Sequence, residues 1–399
     1  MSTLFTSAKI GNIEVKNRFV RSATVGCLAT EEGKVNEQYL NLYTNLAKGG
    51  IGLIITGHFI IQQNGKALSR VIMIDNDEVI VGLKKLTDEV HKYGAKIVAQ
   101  INHLGRHANP KISGERQIAP SSVRTMIPVF SKPREMTEMD IKKAIEEFGL
   151  AAWRAKEAGF DGVQFHCAHG YLIHQFLSRH TNRRQDRWGG SFEHRLRFLT
   201  EVYNFAREKV GPEYPILVKV NSKDMFINGL TIEDSVKICK RLNGLGIAAI
   251  EVSGGVQDTG GLEITRGDFP VDIVLRDRKL LEKTLIRLKA KSIKEEAKFE
   301  ENYFLPEARR IKHAVNIPVI VVGGIRDVKK MEQIIENGDA DFVSMCRPFI
   351  RQPNLIRLIE QGETNPVTCI SCNKCTLEVV TQCKPLRCYD INRQLKSFL

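Results

Sequence analysis

The sequence predicts an α/β fold, a (β/α)8 TIM barrel, on two observations. Short runs rich in β-branched residues alternate with helical patterns along the chain, which is typical of successive βαβ units and a parallel sheet. Eight such runs occur, and 399 residues suffice for one barrel, which takes about 250 residues before insertions. Eight strands joined by right-handed crossovers through helices are expected to close into a barrel.

The predicted strands are short and mostly apolar, and each is followed by a helical pattern. In chain order they are Phe19–Ala23, Gly52–Gly57, Lys96–Ile101, Gly162–His166, Ile216–Val220, Ala248–Ser253, Val319–Val322 and Asp341–Met345.

Two of the predicted helices, Thr137–Ala158 and Thr231–Leu242, begin with threonine followed three residues later by aspartate. This spacing approximates a capping box, and apolar residues then recur at helical spacing. Further helices are predicted at Leu305–His313, directly before the seventh strand, and near Pro353–Gln361, after the eighth strand.

Two segments depart from the barrel repeat. Residues 256–304, between the sixth and seventh strands, are longer than a barrel loop needs and include the basic, helix-prone Arg276–Lys298. This insertion is expected either to lie over the C-terminal end of the barrel and gate substrate, or to be a solvated helix without functional contacts. A cysteine-rich tail follows the last helix, so the predicted units are a barrel at residues 1–362 and a tail at residues 363–399.

Charge and hydropathy narrow the function classes. The net charge is +13, but no basic run carries interleaved aromatic residues, so most of this charge is expected on a solvated surface and not at a nucleic-acid site. No run of 18 apolar residues occurs, and the N-terminus lacks the apolar region of a secretory signal. The protein is expected to be cytoplasmic and to have no membrane partner. The sequence leaves open whether it forms a homo-oligomer.

His166 and His169 lie at the end of a predicted strand, and Tyr171 follows two residues later. The C-terminal ends of the strands are where barrel enzymes keep their chemistry. The spacing lets both imidazoles meet one atom of a ligand. From these residues alone, half of a metal site and two solvated loop histidines remain alternatives.

The stretch HCAHGYLIHQFLSRHTNRRQDRWGGSFEHRLRFL, residues 166–199, closely resembles the signature of the old yellow enzyme family of FMN-dependent ene-reductases. The resemblance covers most of residues 4–355 and includes QINHLGR at residues 100–106. It implies an FMN barrel that takes hydride from NAD(P)H and reduces the activated C=C bond of an α,β-unsaturated carbonyl compound, with the hydride relayed through the flavin.

The resemblance also implies residue roles. His166 and His169 hold the substrate's carbonyl oxygen, where enolate charge develops, and Tyr171 donates a proton to the α-carbon. The implied FMN contacts are Ser22, Ala23, Thr24, Val25, Gly57, Gln100, Lys219, Gly323, Gly324, Cys346 and Arg347.

Within this set, Lys219 is expected beside flavin N1 and the C2 carbonyl, while Gly323, Gly324, Cys346 and Arg347 form the phosphate site. At Val25 many relatives carry threonine or cysteine, and at Cys27 some carry a tyrosine. The substrate range of the relatives therefore does not transfer to this chain.

Five cysteines follow residue 368, and in a cytoplasmic protein such crowding favours metal or redox chemistry over disulfides. The spacing C-x2-C-x2-C-x12-C of Cys369, Cys372, Cys375 and Cys388 resembles the C-x2-C-x3-C-x11-C pattern of the larger 2,4-dienoyl-CoA reductases. A [4Fe–4S] cluster or zinc is predicted, with reduced cysteines packed on the barrel as the alternative. The C-terminal FAD and NAD domains of those enzymes are missing here, so NAD(P)H is expected to reduce FMN directly.

Two other functions remain open at this stage. One is a flavin barrel that works in the oxidative direction, as in the related amine dehydrogenases. The other is a flavin barrel acting on RNA, which needs an appended RNA-binding domain and a base taken out of its helix.

Overall fold

Eight parallel strands form a closed barrel in the computed structural model, which describes residues 2–390 except 126–130, 260, 262, 277 and 279. Each strand pairs with the next, and the eighth pairs with the first, so the ring has no open edge. The strands are β1 Phe19–Arg21, β2 Leu53–Ile55, β3 Lys96–Asn102, β4 Gly162–Cys167, β5 Ile216–Asn221, β6 Ala249–Ser253, β7 Val319–Val322 and β8 Phe342–Met345. The predicted fold class and all eight predicted strands are confirmed.

Short strands outside the ring were not predicted. An antiparallel hairpin, Ala8–Ile10 with Ile13–Val15, packs its apolar side chains with inward-facing residues at the N-terminal end of the barrel. Phe59–Ile60 extends the pairing of β3, and Ile118–Ala119 pairs with Arg134–Glu135. The hairpin closes the end of the barrel opposite the predicted site, because its apolar residues share one buried cluster with β1 and β2.

Helices surround the ring, and none within the described ranges combines the length and apolar character needed to cross a membrane. They span Glu37–Lys48, Val79–His91, Pro110–Ser113, Glu138–Glu157, Leu172–Leu177, Phe192–Val210, Ile232–Leu245, Val271–Leu275, Leu280–Glu296, Leu305–Lys312, Val328–Glu336, Arg347–Arg351, Leu355–Glu360 and Lys374–Gln382. Single 3-10 turns lie at Thr3–Phe5, Gln63–Gly65, Gly105–His107 and Gln257–Thr259.

Both predicted capping boxes form. The Thr137 side chain accepts from the backbone N–H of Asp140, and the Asp140 carboxylate accepts from the Thr137 N–H. Thr231 and Asp234 make the same reciprocal pair. These bonds satisfy backbone donors that the first helical turn leaves without partners, which is why the local sequence located both helix starts correctly.

The insertion after β6 is helical, as predicted, but it divides into two parts. Its long helix spans Leu280–Glu296, where Arg276–Lys298 was predicted, and Leu280 and Leu288 on it are 78% and 76% exposed. Residues on both sides of this helix, such as Phe269 and Phe299, line a large cavity, and so does Glu282 in its first turn. The insertion thus lies at the C-terminal end of the barrel, as the first alternative expected, and the gating of substrate stays a prediction.

Candidate active site

A cavity of about 1080 Å³ opens at the C-terminal ends of the barrel strands. Strand ends, the insertion and the C-terminal tail all contribute walls. Of the predicted site residues, the cavity is lined by Ala23, Thr24, Val25, Gln100, His166, His169, Tyr171, Lys219, Gly323, Gly324, Cys346 and Arg347. Ser22 and Gly57 lie behind this wall.

Three aromatic side chains meet at the mouth of β4. The ring centroids of His166 and His169 are 4.9 Å apart, and the Tyr171 ring stands edge-on to His166 at 4.7 Å. His166 Nδ1 accepts a backbone N–H from Ala168 at 3.3 Å, which leaves Nε2 to carry the proton. His169 Nε2 bonds Ser253 Oγ at 2.8 Å, and the Tyr171 hydroxyl accepts from Gln257 at 3.5 Å.

Burial sets the protonation of this group. It lowers the pKa of His166 and of His169 well below the usual value for histidine, and the proximity of Lys219 and of other histidines lowers each pKa further. It raises the pKa of Tyr171 to about 12. At neutral pH the three side chains are therefore uncharged, and all three carry a proton that can be donated.

Hydrogen bonds to buried side chains hold the loop that carries His169 and Tyr171. His169 has a φ of +61°, unusual for a residue with a side chain, and its backbone N–H donates to Asn221 Oδ1 at 3.0 Å. The Gly170 N–H donates to His174 Nδ1, and His174 Nε2 bonds the buried carboxylate of Asp224 at 2.8 Å. This chain of buried polar contacts fixes the two rings against the cavity.

A buried polar chain crosses the barrel interior beneath the cavity. Gln100 Nε2 donates to Gln164 Oε1 at 2.7 Å, and Gln164 Nε2 donates to Glu251 Oε2 at 3.0 Å. Glu251 pairs with Lys219 at 3.2 Å, and Lys219 Nζ donates to Ser22 Oγ at 2.9 Å. Ser22, which does not line the cavity, thus orients the ammonium group of Lys219.

Gln164 and Glu251 were not found from the sequence, although a signal was present. Each is a polar residue inside an otherwise apolar strand, in register with a predicted site residue, Gln100 or Lys219. Both side chains are fully buried. A buried carboxylate without a partner is costly, so Glu251 and Lys219 each require the other.

His58 is a further residue that the sequence analysis missed. It follows β2, lines the cavity, and stands edge-on to Tyr171 with centroids 5.8 Å apart. Gly57, which lies beside it and stays a predicted FMN contact, is also needed for close packing of the backbone. A Cβ there would come within 2.5 Å of the Thr24 carbonyl oxygen, so the close approach of two backbone segments requires glycine.

The other end of the cavity suits an anion. Gly323 and Gly324 have φ of +123° and +73°, and their backbone N–H groups have no hydrogen-bond partner among the described residues. Arg347 lies beside them, and Arg326, which was not predicted as a site residue, lies there as well. Two unpaired N–H groups and two guanidinium groups fit a phosphate.

The tail is part of this site. The Arg347 guanidinium donates to Asn373, and Arg326 donates to Ser371. The helix Lys374–Gln382, called the tail helix below, lines the cavity with Leu377 and Val380 among others. Because its Val379 lies in the main hydrophobic core, the tail packs as one body with the barrel.

The four predicted metal ligands surround one small second cavity, which Cys369, Cys372, Cys375 and Cys388 all line. Within the part of the chain that is described, no three His, Cys, Asp or Glu side chains are placed to hold a single metal ion. The thiols stand around a space and do not converge on a point. Cys383 lies elsewhere, against Cys27.

The buried neutral histidines predict a loss of stability in weak acid. Burial lowers the pKa of His103 to about 3, and those of His166 and His169 also lie far below 6.5. Below about pH 6.5 these histidines bind protons in the unfolded chain but stay unprotonated in the folded chain. The free energy of unfolding therefore falls as the pH falls. We expect a fall of about 1.4 kcal/mol for each of the three between pH 7.5 and 5.5.

Urea unfolding at the two pH values measures this fall. His103→Asn should reduce this fall by about 1.4 kcal/mol, whereas the surface variant His313→Asn should leave it nearly unchanged. An unfolding free energy that is equal at both pH values would show that these histidines are not held neutral.

Comparison with known proteins places the chain in a family. The sequence profile of the NADH:flavin oxidoreductase / NADH oxidase family matches residues 3–259 and 272–365. An NADH oxidase from Thermoanaerobacter brockii is 37% identical over 373 residues, 93% of this chain and 52% of that protein. An NADPH dehydrogenase from a Geobacillus species is 35% identical over 356 residues, 88% of this chain and 91% of that protein.

Among solved structures, a 2-naphthoyl-CoA reductase in complex with 2-naphthoyl-CoA superposes with a TM-score of 0.84 at 28% identity. The match covers 97% of this chain and 56% of that one. The chain therefore spans about half the length of this reductase and of the NADH oxidase.

Proposed function

Because the chain belongs to the NADH:flavin oxidoreductase / NADH oxidase family, we propose that it uses FMN and NAD(P)H to reduce the activated C=C bond of an α,β-unsaturated carbonyl compound. The observation that carries the proposal is the pair His166 and His169, buried and neutral with centroids 4.9 Å apart, beside Tyr171 in the large cavity. The cytoplasm is the compartment we propose, because the cysteines are free thiols.

The described residues fit FMN in two places. The unpaired N–H groups of Gly323 and Gly324, with Arg347, would hold its phosphate. At the opposite side, the amide of Gln100 and the cation of Lys219 would contact the polar edge of the ring. When bound, FMN supplies a two-electron carrier that exchanges hydride with NAD(P)H and with the substrate.

Side chains of the cavity would bind the substrate and supply its proton. His166 and His169 donate hydrogen bonds to the substrate's carbonyl oxygen, and these bonds strengthen as negative charge grows there. Being uncharged, the histidines need no proton from solvent to act as donors. Tyr171 keeps its proton at neutral pH, because its pKa is about 12, and donates it to the α-carbon.

The two alternative functions are less well supported. An RNA substrate needs a surface for a folded nucleic acid, whereas the convergent donors here lie inside a cavity walled by the insertion and the tail helix. The oxidative direction is less well supported because the histidine pair offers hydrogen-bond donors. These suit a carbonyl oxygen that gains negative charge, as it does when the C=C bond is reduced.

We expect the purified protein to carry non-covalent FMN and no FAD. At the phosphate end of the cavity Arg347 and Arg326 are bonded to residues of the insertion and the tail, an arrangement that suits a terminal phosphate. Heat release of the flavin followed by chromatography measures this. An FAD peak, or flavin that stays with the denatured protein, would contradict the assignment.

We further propose that Cys369, Cys372, Cys375 and Cys388 hold a [4Fe–4S] cluster. Thiols that surround a cavity suit a cluster with several iron atoms, whereas zinc requires four sulfurs about 2.3 Å from one point. The tail residues that contact Arg326 and Arg347 lie between these cysteines, so the cluster would also order the phosphate end of the cavity.

Iron and sulfide analysis after anaerobic purification tests the cluster, and we expect about four of each per chain. Cys372→Ser should abolish iron binding, while Cys383→Ser, outside the second cavity, should leave it unchanged. One equivalent of zinc in place of iron would overturn the cluster, and the absence of any metal would leave the tail as reduced cysteines.

A further inference from the structure

Two cysteines that the proposed reaction does not use meet in the wall of the large cavity. Cys27 lies in the loop after β1, and Cys383 ends the tail helix, 356 positions later in the chain. Their sulfur atoms are 2.7 Å apart. Both are free thiols, and a covalent S–S bond of about 2.05 Å needs only a small movement of the side chains.

The backbone holds the two thiols together. Cys27 and Cys383 have φ of +45° and +47°, in the left-handed region that residues with side chains rarely adopt. The loop and the tail are joined directly, because the Leu386 N–H donates to the Gly26 carbonyl at 2.8 Å. Two such conformations at one contact persist only where the surrounding structure enforces them. Strained residues of this kind are concentrated at functional sites.

The two thiols differ in access and in environment. Cys383 lines the large cavity and is partly exposed, whereas Cys27 is 1% exposed. Cys383 Sγ also lies 3.2 Å from both the hydroxyl and the carbonyl oxygen of Ser69. The hydrogen bond with Cys27, with help from Ser69 and the cation of Arg70, lowers the pKa of Cys383 to about 6.

We propose that Cys27 and Cys383 form a thiol–disulfide exchange site for small organic disulfides that enter the cavity. Cys383, as thiolate, attacks one sulfur of the disulfide, forms a mixed disulfide and releases the first thiol. The Cys27 sulfur then attacks Cys383 in the mixed disulfide and releases the second thiol. The disulfide is reduced to two thiols, and the two cysteines are oxidised to one Cys27–Cys383 bond, so electrons and protons balance.

The bond has a structural consequence. It ties the tail helix, one wall of the cavity, to the loop after β1. A cross-link between residues so far apart in sequence restricts the unfolded chain strongly and should stabilise the fold. An excess of free thiol reverses the reaction.

The test uses the full-length holoprotein, reduced, desalted anaerobically and treated with bis(2-hydroxyethyl) disulfide. We expect peptide mapping to find the Cys27–Cys383 link with no hydroxyethylthio group retained on either residue. Cys383 should react about 10-fold faster at pH 7 than N-acetylcysteine, since a larger fraction of it is thiolate. The oxidised protein should melt on the order of 5 °C higher than the reduced one.

Variants separate the two roles. In Cys27→Ser the hydroxyethylthio group should remain on Cys383, and Cys27→Ala provides a second resolving variant if serine disturbs the buried site. In Cys383→Ser, Cys27 should stay unmodified, and Cys239→Ser, at a buried cysteine far from the contact, should behave as the unmodified protein. A wild-type protein that retains the adduct on Cys383, or that reacts only at other cysteines, would overturn the proposal.

Discussion

Replacing His166 and His169 together by alanine is expected to lower the rate of enone reduction by about 10²-fold or more. The reason is positional, because both rings lie over the cavity and neither contacts its phosphate end. The substrate's oxygen then gains charge without a donor. FMN content and NAD(P)H oxidation with another electron acceptor should be retained, because Gln100, Lys219 and Arg347 are unchanged.

Stopped-flow measurement of the two half-reactions separates these effects. Phenols, which resemble the enolate, should bind the oxidised protein and produce a long-wavelength charge-transfer band that the double variant lacks. His313→Ala, at the surface, is the control. Enone turnover that survives in the double variant, or equal losses in both half-reactions, would show that the pair does not hold the substrate's oxygen.

Lys219→Met is expected to destabilise the protein by about 3–5 kcal/mol. The substitution leaves Glu251 as a fully buried carboxylate without its cation, and the remaining contacts of Glu251 with Gln164 and Ser344 do not neutralise it. The same change removes the cation expected at the flavin edge, so the reduction potential of bound flavin should fall as well.

A double-mutant cycle identifies the cause. Glu251→Gln added to Lys219→Met removes the unpaired charge and should recover most of the lost unfolding free energy. The flavin potential should stay low in the double variant, because the cation is still missing. If the double variant is no more stable than Lys219→Met, the buried pair is not the source of the loss.

Local sequence signals were sufficient for most of the fold. Strand positions followed from short apolar runs, and two helix starts followed from Thr137 with Asp140 and Thr231 with Asp234, since these signals lie within a few neighbouring residues. His166 was found because a polar group at a strand end is conspicuous in apolar surroundings, whereas Lys219 was found through the resemblance to the old yellow enzyme family; both line the cavity.

Contacts between distant segments could not be predicted in this way. The pairing of Glu251 with Lys219 depends on the register of two strands, and that of Cys27 with Cys383 depends on how the tail folds back over the cavity. Gly57 shows a related difficulty, because the close approach of its backbone to the Thr24 carbonyl oxygen joins two strand ends that are distant in sequence. The insertion likewise changes character along its length, between aromatic residues that line the cavity and a helix with exposed leucines.

The central claim is that one cavity serves NAD(P)H and an enone in turn through FMN. An anaerobic titration followed at the flavin absorption band tests it most directly. We expect one equivalent of NADH or NADPH to bleach the band, and one equivalent of cyclohex-2-enone to restore it with formation of the saturated ketone. A band that neither coenzyme bleaches, or that the enone fails to restore in the absence of oxygen, would contradict the account.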